Sequence, residues 1–132
     1  MTSSAIRGFS YLASPYTYRS EDAEETRKIL AYRYEDARRA IVTLMKEGWA
    51  PFSTIVHWHD AELNDPTLPT DFASWVDYND RFIAGCDAFL VLKIGGWSVS
   101  KGVAHEIELA RTLGKPMFEV HLDPYEIKPF EV

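Results

Sequence analysis

Cationic excess is missing from this chain: 14 Lys and Arg stand against 20 Asp and Glu, giving a formal net charge of −6. Binding along a phosphate backbone needs a basic face, so a nucleic-acid polymer is not the expected partner. A small anionic ligand needs only a local nest of donors and stays open. Cysteine is almost absent. Cys86 alone can form no internal disulfide, fits a reducing compartment, and reads as a small core residue. No apolar run approaches membrane-spanning length and no basic-then-apolar leader is visible, so the expected location is the cytoplasm with no membrane partner. Neither Gly-x-Gly-x-x-Gly nor Gly-x-x-x-x-Gly-Lys-Ser/Thr occurs, which removes the main support for dinucleotide and P-loop binding.

What the chain does have is apolar content. Of its 132 residues, 46% are hydrophobic and 14% aromatic, enough for one packed domain over 1–132. Phe9 to Ala13 is a short apolar run closed by Ser14-Pro15 and predicts a buried first strand. Ser20 followed by Glu21, Asp22, Glu24 and Glu25 predicts a helix start. Leu30, Tyr34, Ala37, Ile41 and Leu44 continue that helix to Gly48. Trp49 to Phe52 predicts a second strand, short or peripheral because of Pro51. Residues 53–70 read as a long loop of the functional or mobile kind. Phe72, Trp75, Val76, Phe82 and Ile83 predict a second helix, and Asp87 to Leu92 a central parallel strand. Ser100 caps a third helix whose Val103, Ile107, Ala110 and Leu113 face the core. Gly114 ends it, Met117 to Val120 is a last strand, and the remainder an extended tail. The alternation predicts an α/β fold: a three-layer, flavodoxin-like or Rossmann-like arrangement with a mainly parallel sheet of four to five strands and helices on both faces.

The chemistry concentrates around Ser100-Lys-Gly-Val-Ala-His-Glu106. A carboxylate near a helix N-terminus at the carboxyl edge of a parallel sheet lies where α/β proteins bind anionic ligands. The dipole there favours an ionised Glu106, suited to a nucleophile or electrostatic stabiliser. Retaining glycosyl chemistry needs a second carboxyl to handle the leaving group's proton. Asp77 and Asp80, three apart on one helix face, are the candidates. Tyr11 and Ser14-Pro15-Tyr16 end the first strand. Tyr11 either orients the nucleophile through its hydroxyl or is a core aromatic. Arg19 either forks onto a phosphate or lies on the surface. His57-Trp58-His59 has metal-like spacing but no obvious third ligand, so His57 is expected to line a substrate pocket, with neither metal nor cofactor. Trp58 and Trp97 either stack on a base or cover the core.

Taken in order, Tyr11-Leu-Ala-Ser-Pro-Tyr16, Asp80 through Leu92, and Ser100-x-Gly102-x-x-x-Glu106-x-x-x-Ala110 with Gly114-Lys-Pro116 resemble the nucleoside 2-deoxyribosyltransferase-like superfamily. The match looks closest to a small bacterial and phage branch known as a domain of unknown function. That branch shares the Ser-Pro-Tyr start and the loop Gly96-Trp97-Ser98-Val99-Ser100-Lys101-Gly102. The resemblance implies Glu106 as nucleophile, an aspartate on the preceding helix as general acid, Tyr11 positioning the glutamate, and homodimers or higher homo-oligomers that complete each other's sites. Serine at position 100, where relatives acting on free nucleosides often carry a carboxylate, implies a 5′-monophosphate ligand. Two departures are visible. Asn79 stands eight residues before Asp87, where the family places its acid, with Asp80 one residue closer and Asp77 two farther. Ser14-Pro15 replaces a glycine common in active relatives. The expected function is therefore N-glycosidase or deoxyribosyltransferase chemistry on a nucleotide or nucleoside. The alternatives are a non-catalytic nucleotide-binding or sensor domain and a metal-dependent hydrolase using His57 and His59.

Overall fold

Strands and helices alternate along the computed structural model, which describes residues 8–18, 20–69 and 72–130. The order is β1 (Ser10–Ala13), α1 (Ala23–Lys46), β2 (Pro51–Phe52), α2 (Thr54–Asn64), α3 (Phe72–Gly85), β3 (Ala88–Leu92), α4 (Lys101–Thr112), β4 (Met117–His121) and β5 (Glu126–Pro129), with a 3-10 turn at Trp97–Val99 before α4. In space the strands run β2-β1-β3-β4-β5. The first four are parallel and β5 returns antiparallel to β4. The protein is α/β with a mostly parallel five-stranded sheet, consistent with a flavodoxin-like layout.

β1 and β3 are buried along their whole length, and their alternating side chains feed two cores. Leu12, Ala88, Leu90, Leu92, Phe118 and Val120 pack with Ala40 and Leu44 of α1. Tyr11, Ala13, Phe89 and Val91 pack with Ile83 of α3 and with Val103 and Ala110 of α4. Helices therefore cover both faces. The connection leaving β1 crosses one face and the connection entering β3 crosses the other, which opens a crevice beyond the carboxyl ends of these neighbouring strands.

Local chemistry sets the helix ends. Asp22 caps α1, accepting from Glu24 N at 2.9 Å and Glu25 N at 3.3 Å. Ser20, the expected start, instead donates to the Asp22 carbonyl at 2.8 Å. Ser100 caps α4, accepting from Val103 N at 3.2 Å. Gly114 (φ 69°) follows the last turn of α4 in the left-handed conformation that a side chain would strain. Behind the crevice, Arg33 of α1 donates to the Thr17 carbonyl at 2.7 Å. It also packs against Gly96, where an added Cβ would lie 2.3 Å from Arg33 Nη2. One guanidinium thus touches the loop after β1 and the loop after β3.

Three expectations are corrected. Residues 54–64 form α2, not loop, capped by Ser53 through Val56 N at 3.1 Å. Burial of Thr54, Ile55 and Trp58 stabilises a helix whose β-branched, histidine and tryptophan residues give it little intrinsic propensity. The segment expected as an extended tail contains β5, paired from Glu126 to Pro129 with the edge of β4. Leu113 is 46% exposed, not core, because it lies one residue past the end of α4, as its C-cap. The short, peripheral second strand is as expected: β2 is two residues long at the sheet edge.

Candidate active site

The crevice holds a cavity of about 560 Å³ lined by residues from β1's exit loop, α2, α3 and the start of α4. Glu106 forms its floor and is only 7% exposed. Its carboxyl accepts from two donors. The Tyr11 hydroxyl donates to Oε2, and the Asn79 amide donates as well. Tyr11 is wholly buried in β1 and stacked on Phe89 of β3, so its ring cannot swing. Its oxygen also meets Thr54 Oγ1 at 3.0 Å; because the phenol proton goes to Glu106, the threonine hydroxyl is the donor there. Burial and the neighbouring Glu106 charge hold the Tyr11 phenol well above its ordinary range, so it remains a donor at any working pH.

Burial pushes the Glu106 carboxyl up to about 8; the Tyr11 hydrogen bond opposes this, Asp80 adds to it, and Asn79 opposes it. The expectation of a carboxylate ionised by the helix dipole is therefore corrected. Six residues beyond the Ser100 cap, Glu106 lies in the second turn, past the dipole's reach, and it faces the sheet rather than water. At neutral pH the free protein keeps a proton on it.

Asp80 lines the same cavity from α3. His105 Nε2 stands 3.0 Å from one of its oxygens and 3.2 Å from the other. Asp77, the other candidate acid, does not line the cavity; it is largely exposed and paired with Arg81 at 2.8 Å. Three residues of helix turn about 60° away from a repeat, enough to leave one aspartate in the cavity and the other in solvent.

Ser14, Tyr16, Ser100 and Gly102 also line the cavity. Two buried polar atoms in its wall, Ser14 Oγ and Asn79 Oδ1, have no hydrogen-bond partner among the described residues. Tyr16 stacks on Trp75 with ring centroids 6.0 Å apart, and both line the cavity. An alanine-sized side chain at Gly102 would meet only Ser100 Oγ, at 3.8 Å, so the fold itself does not demand glycine there.

The remaining candidates lie elsewhere. Pro15 is buried beneath the loop and does not line the cavity. Trp97 turns the other way, with Lys93 Nζ 3.7 Å from its ring centroid and Phe130 edge-on at 6.2 Å. Ser98 is exposed on the 3-10 turn and outside the lining. His57 is corrected too. The turn of α2 carries it to an exposed position stacked on Tyr78 at 5.9 Å, not into the cavity. His59 stacks on Tyr34 at 3.7 Å and meets Tyr16 Oη at 3.1 Å. Spacing two on a helix sends these histidines to opposite sides. Among the described residues no group of three or more His, Cys, Asp or Glu is arranged to hold a metal ion. No helix among them is long and apolar enough to cross a membrane. Arg19 lies outside the described residues.

A family described as a domain of unknown function (DUF1937) matches residues 8–122. The chain belongs to this family. No curated protein matches it. The DUF1937 span contains every residue that lines the cavity, together with Tyr11 and Thr54, and stops short of β5. Asn79, His105, Thr54 and Trp75 are site residues that sequence reasoning did not select. For His105, adjacency to Glu106 was the available signal; for Asn79, its offset from Asp87.

Proposed function

We propose that this DUF1937 protein cleaves the N-glycosidic bond of a nucleotide, preferentially a 5′-monophosphate, or of a nucleoside, as an N-glycosidase or deoxyribosyltransferase of the nucleoside 2-deoxyribosyltransferase-like kind. One observation carries the reading. A buried carboxyl gripped by a phenol and an amide shares a cavity with a second carboxyl, beside a serine-capped helix N-terminus.

In the proposed reaction Glu106 attacks C1′ and Asp80 protonates the departing base, the division of labour that retaining glycosyl chemistry requires. Tyr11 and Asn79 fix the direction of attack, because both donors hold the carboxyl from the protein side. Ser14 Oγ and Asn79 Oδ1 supply the polar atoms that sugar hydroxyls would satisfy. The Tyr16–Trp75 pair offers a flat apolar wall for the base. Ser100, Gly102 and Lys101 frame the start of α4, where a phosphate would meet unpaired backbone N–H groups and positive charge. Water releasing the sugar makes the protein a hydrolase; a second base makes it a transferase.

The test is incubation with a panel of nucleosides and 5′-monophosphates, with free base and the mass of the protein followed together. Base release that disappears in Glu106→Gln, with a pentosyl adduct on the wild type, supports the reading. Because attack needs the ionised carboxyl, kcat/KM should climb as pH rises toward about 8. Nucleotide-induced thermal stabilisation without base release would replace the enzyme by a binding module. Turnover unaffected by Glu106→Gln would remove the mechanism.

A further inference from the structure

The second carboxyl of the cavity has a partner that the proposed chemistry has not yet used. Asp77 and Asp80 differ in exposure, 73% against 33%, and in what they face. Asp77 is bound to Arg81 on the same helix at 2.8 Å, a cation that does not give up its proton. Asp80 is bound to a residue of another helix, His105, whose Nε2 lies within 3.2 Å of both carboxyl oxygens. An imidazole is the side chain best suited to exchange a proton near neutrality. Both residues line the cavity, and His105 immediately precedes Glu106 on α4. Among the described residues, the other titratable or charged groups brought to this place include Glu106 and Lys101 of α4, Tyr16 of the loop after β1, and the Tyr11 phenol of β1.

We infer that His105 is a positioning residue for Asp80, holding its carboxyl against the leaving group and sharing with it the proton that the departing base takes up. The inference rests on the N-glycosidic reading above. As the C1′–N bond breaks, its electron pair stays on the base nitrogen, and a Glu106 oxygen forms the new bond to C1′. The base nitrogen takes the proton of Asp80, and Asp80 is resupplied from Nε2–H of the His105 imidazolium, which is left as neutral imidazole. In the second half water attacks C1′, the Glu106–C1′ bond breaks, and the water proton returns through Asp80 to His105. The pair ends as it began.

A leaving group that needs no proton separates this role from a structural one. An N7-methylated purine already carries positive charge in the nucleotide and departs neutral without protonation. His105→Phe and His105→Gln should each lower kcat on unmodified purine 5′-monophosphates by about 100-fold or more, the range of lost acid catalysis. KM should change less than about threefold, and turnover of the N7-methylated substrate should be nearly retained. The Gln variant keeps an N–H for Asp80 but no exchangeable proton, and it serves if the Phe variant does not fold. Equal losses on both substrates, or wild-type kcat in His105→Gln, would overturn the inference while leaving the N-glycosidic reading in place. If the wild type releases base from neither substrate, that reading falls, and the inference with it.

Discussion

In the proposed reaction Glu106 must be charged to attack a sugar carbon, yet its side chain is shut away from the solvent that would make charging easy. Its folded-state value of about 8 lies above the ordinary 4.5, so between those values the native state holds a proton that the unfolded chain has released. The stability this group contributes is complete below about 4.5 and is lost as pH rises through 8. Glu106→Gln removes the titration while keeping the shape. It should melt progressively higher than the wild type as pH rises from about 5 to 8.5, by several degrees at the top of that range. Melting curves at a series of pH values check this; a difference independent of pH would contradict it. Glu119 works in the opposite sense. Burial raises it, but His121, Lys93 and Lys128 outweigh that and hold it low, so its stabilisation is lost toward acid and cancels in the comparison. At this scale the place of Glu106 was legible from Ser100 and the helix that follows it. Its protonation was not, because that depends on Tyr11, 95 residues away, and on Asn79 of another helix. The Asp80–His105 contact, 25 residues apart, was hidden for the same reason: only packing brings α3 against α4.

Contacts that hold the loop from β3 to α4 include Lys93 over the Trp97 ring and Arg33 against Gly96. Gly96 adopts φ 94°, which costs other residues about 1–2 kcal/mol, and a Cβ there would push aside the tip of Arg33, 2.3 Å away. Gly96→Ala should therefore lower the melting temperature by several degrees. Adding Arg33→Ala should recover the clash but not the backbone strain. Thermal melts of the single and double variants test this, and an unperturbed Gly96→Ala would refute it. Elements with one dominant signal were readable: β1 and β3 from their apolar runs, α1 from its period, α4 from its serine cap. The sequence left Trp97 open between stacking on a base and covering the core; it packs against Lys93 and Phe130, and Ser98 faces solvent. α2 was missed because Ile55 and Trp58 are helical through burial, not propensity. β5 was missed because Pro129, Glu126 and Lys128 are residues of an edge strand, which pairs on one side only.

Across the whole molecule, β5 covers the outer edge of β4, and Phe130 reaches back to Trp97. A chain ended after Leu122 would retain every cavity-lining residue. It should nevertheless melt lower and associate with rising concentration, because the uncovered backbone of β4 becomes a pairing template. Light scattering over a concentration series checks this; a monodisperse truncation with unchanged melting would count against it. The cavity itself is made by segments far apart in the chain, and one side chain ties two of them together. Since Arg33 grips the Thr17 carbonyl on one bank and crowds Gly96 on the other, neither bank can drift without tugging a helix that carries no reacting group. The gauge of the opening is thus set from the far side of the sheet, and a mutation there could retune which molecules fit while leaving the reacting groups themselves untouched.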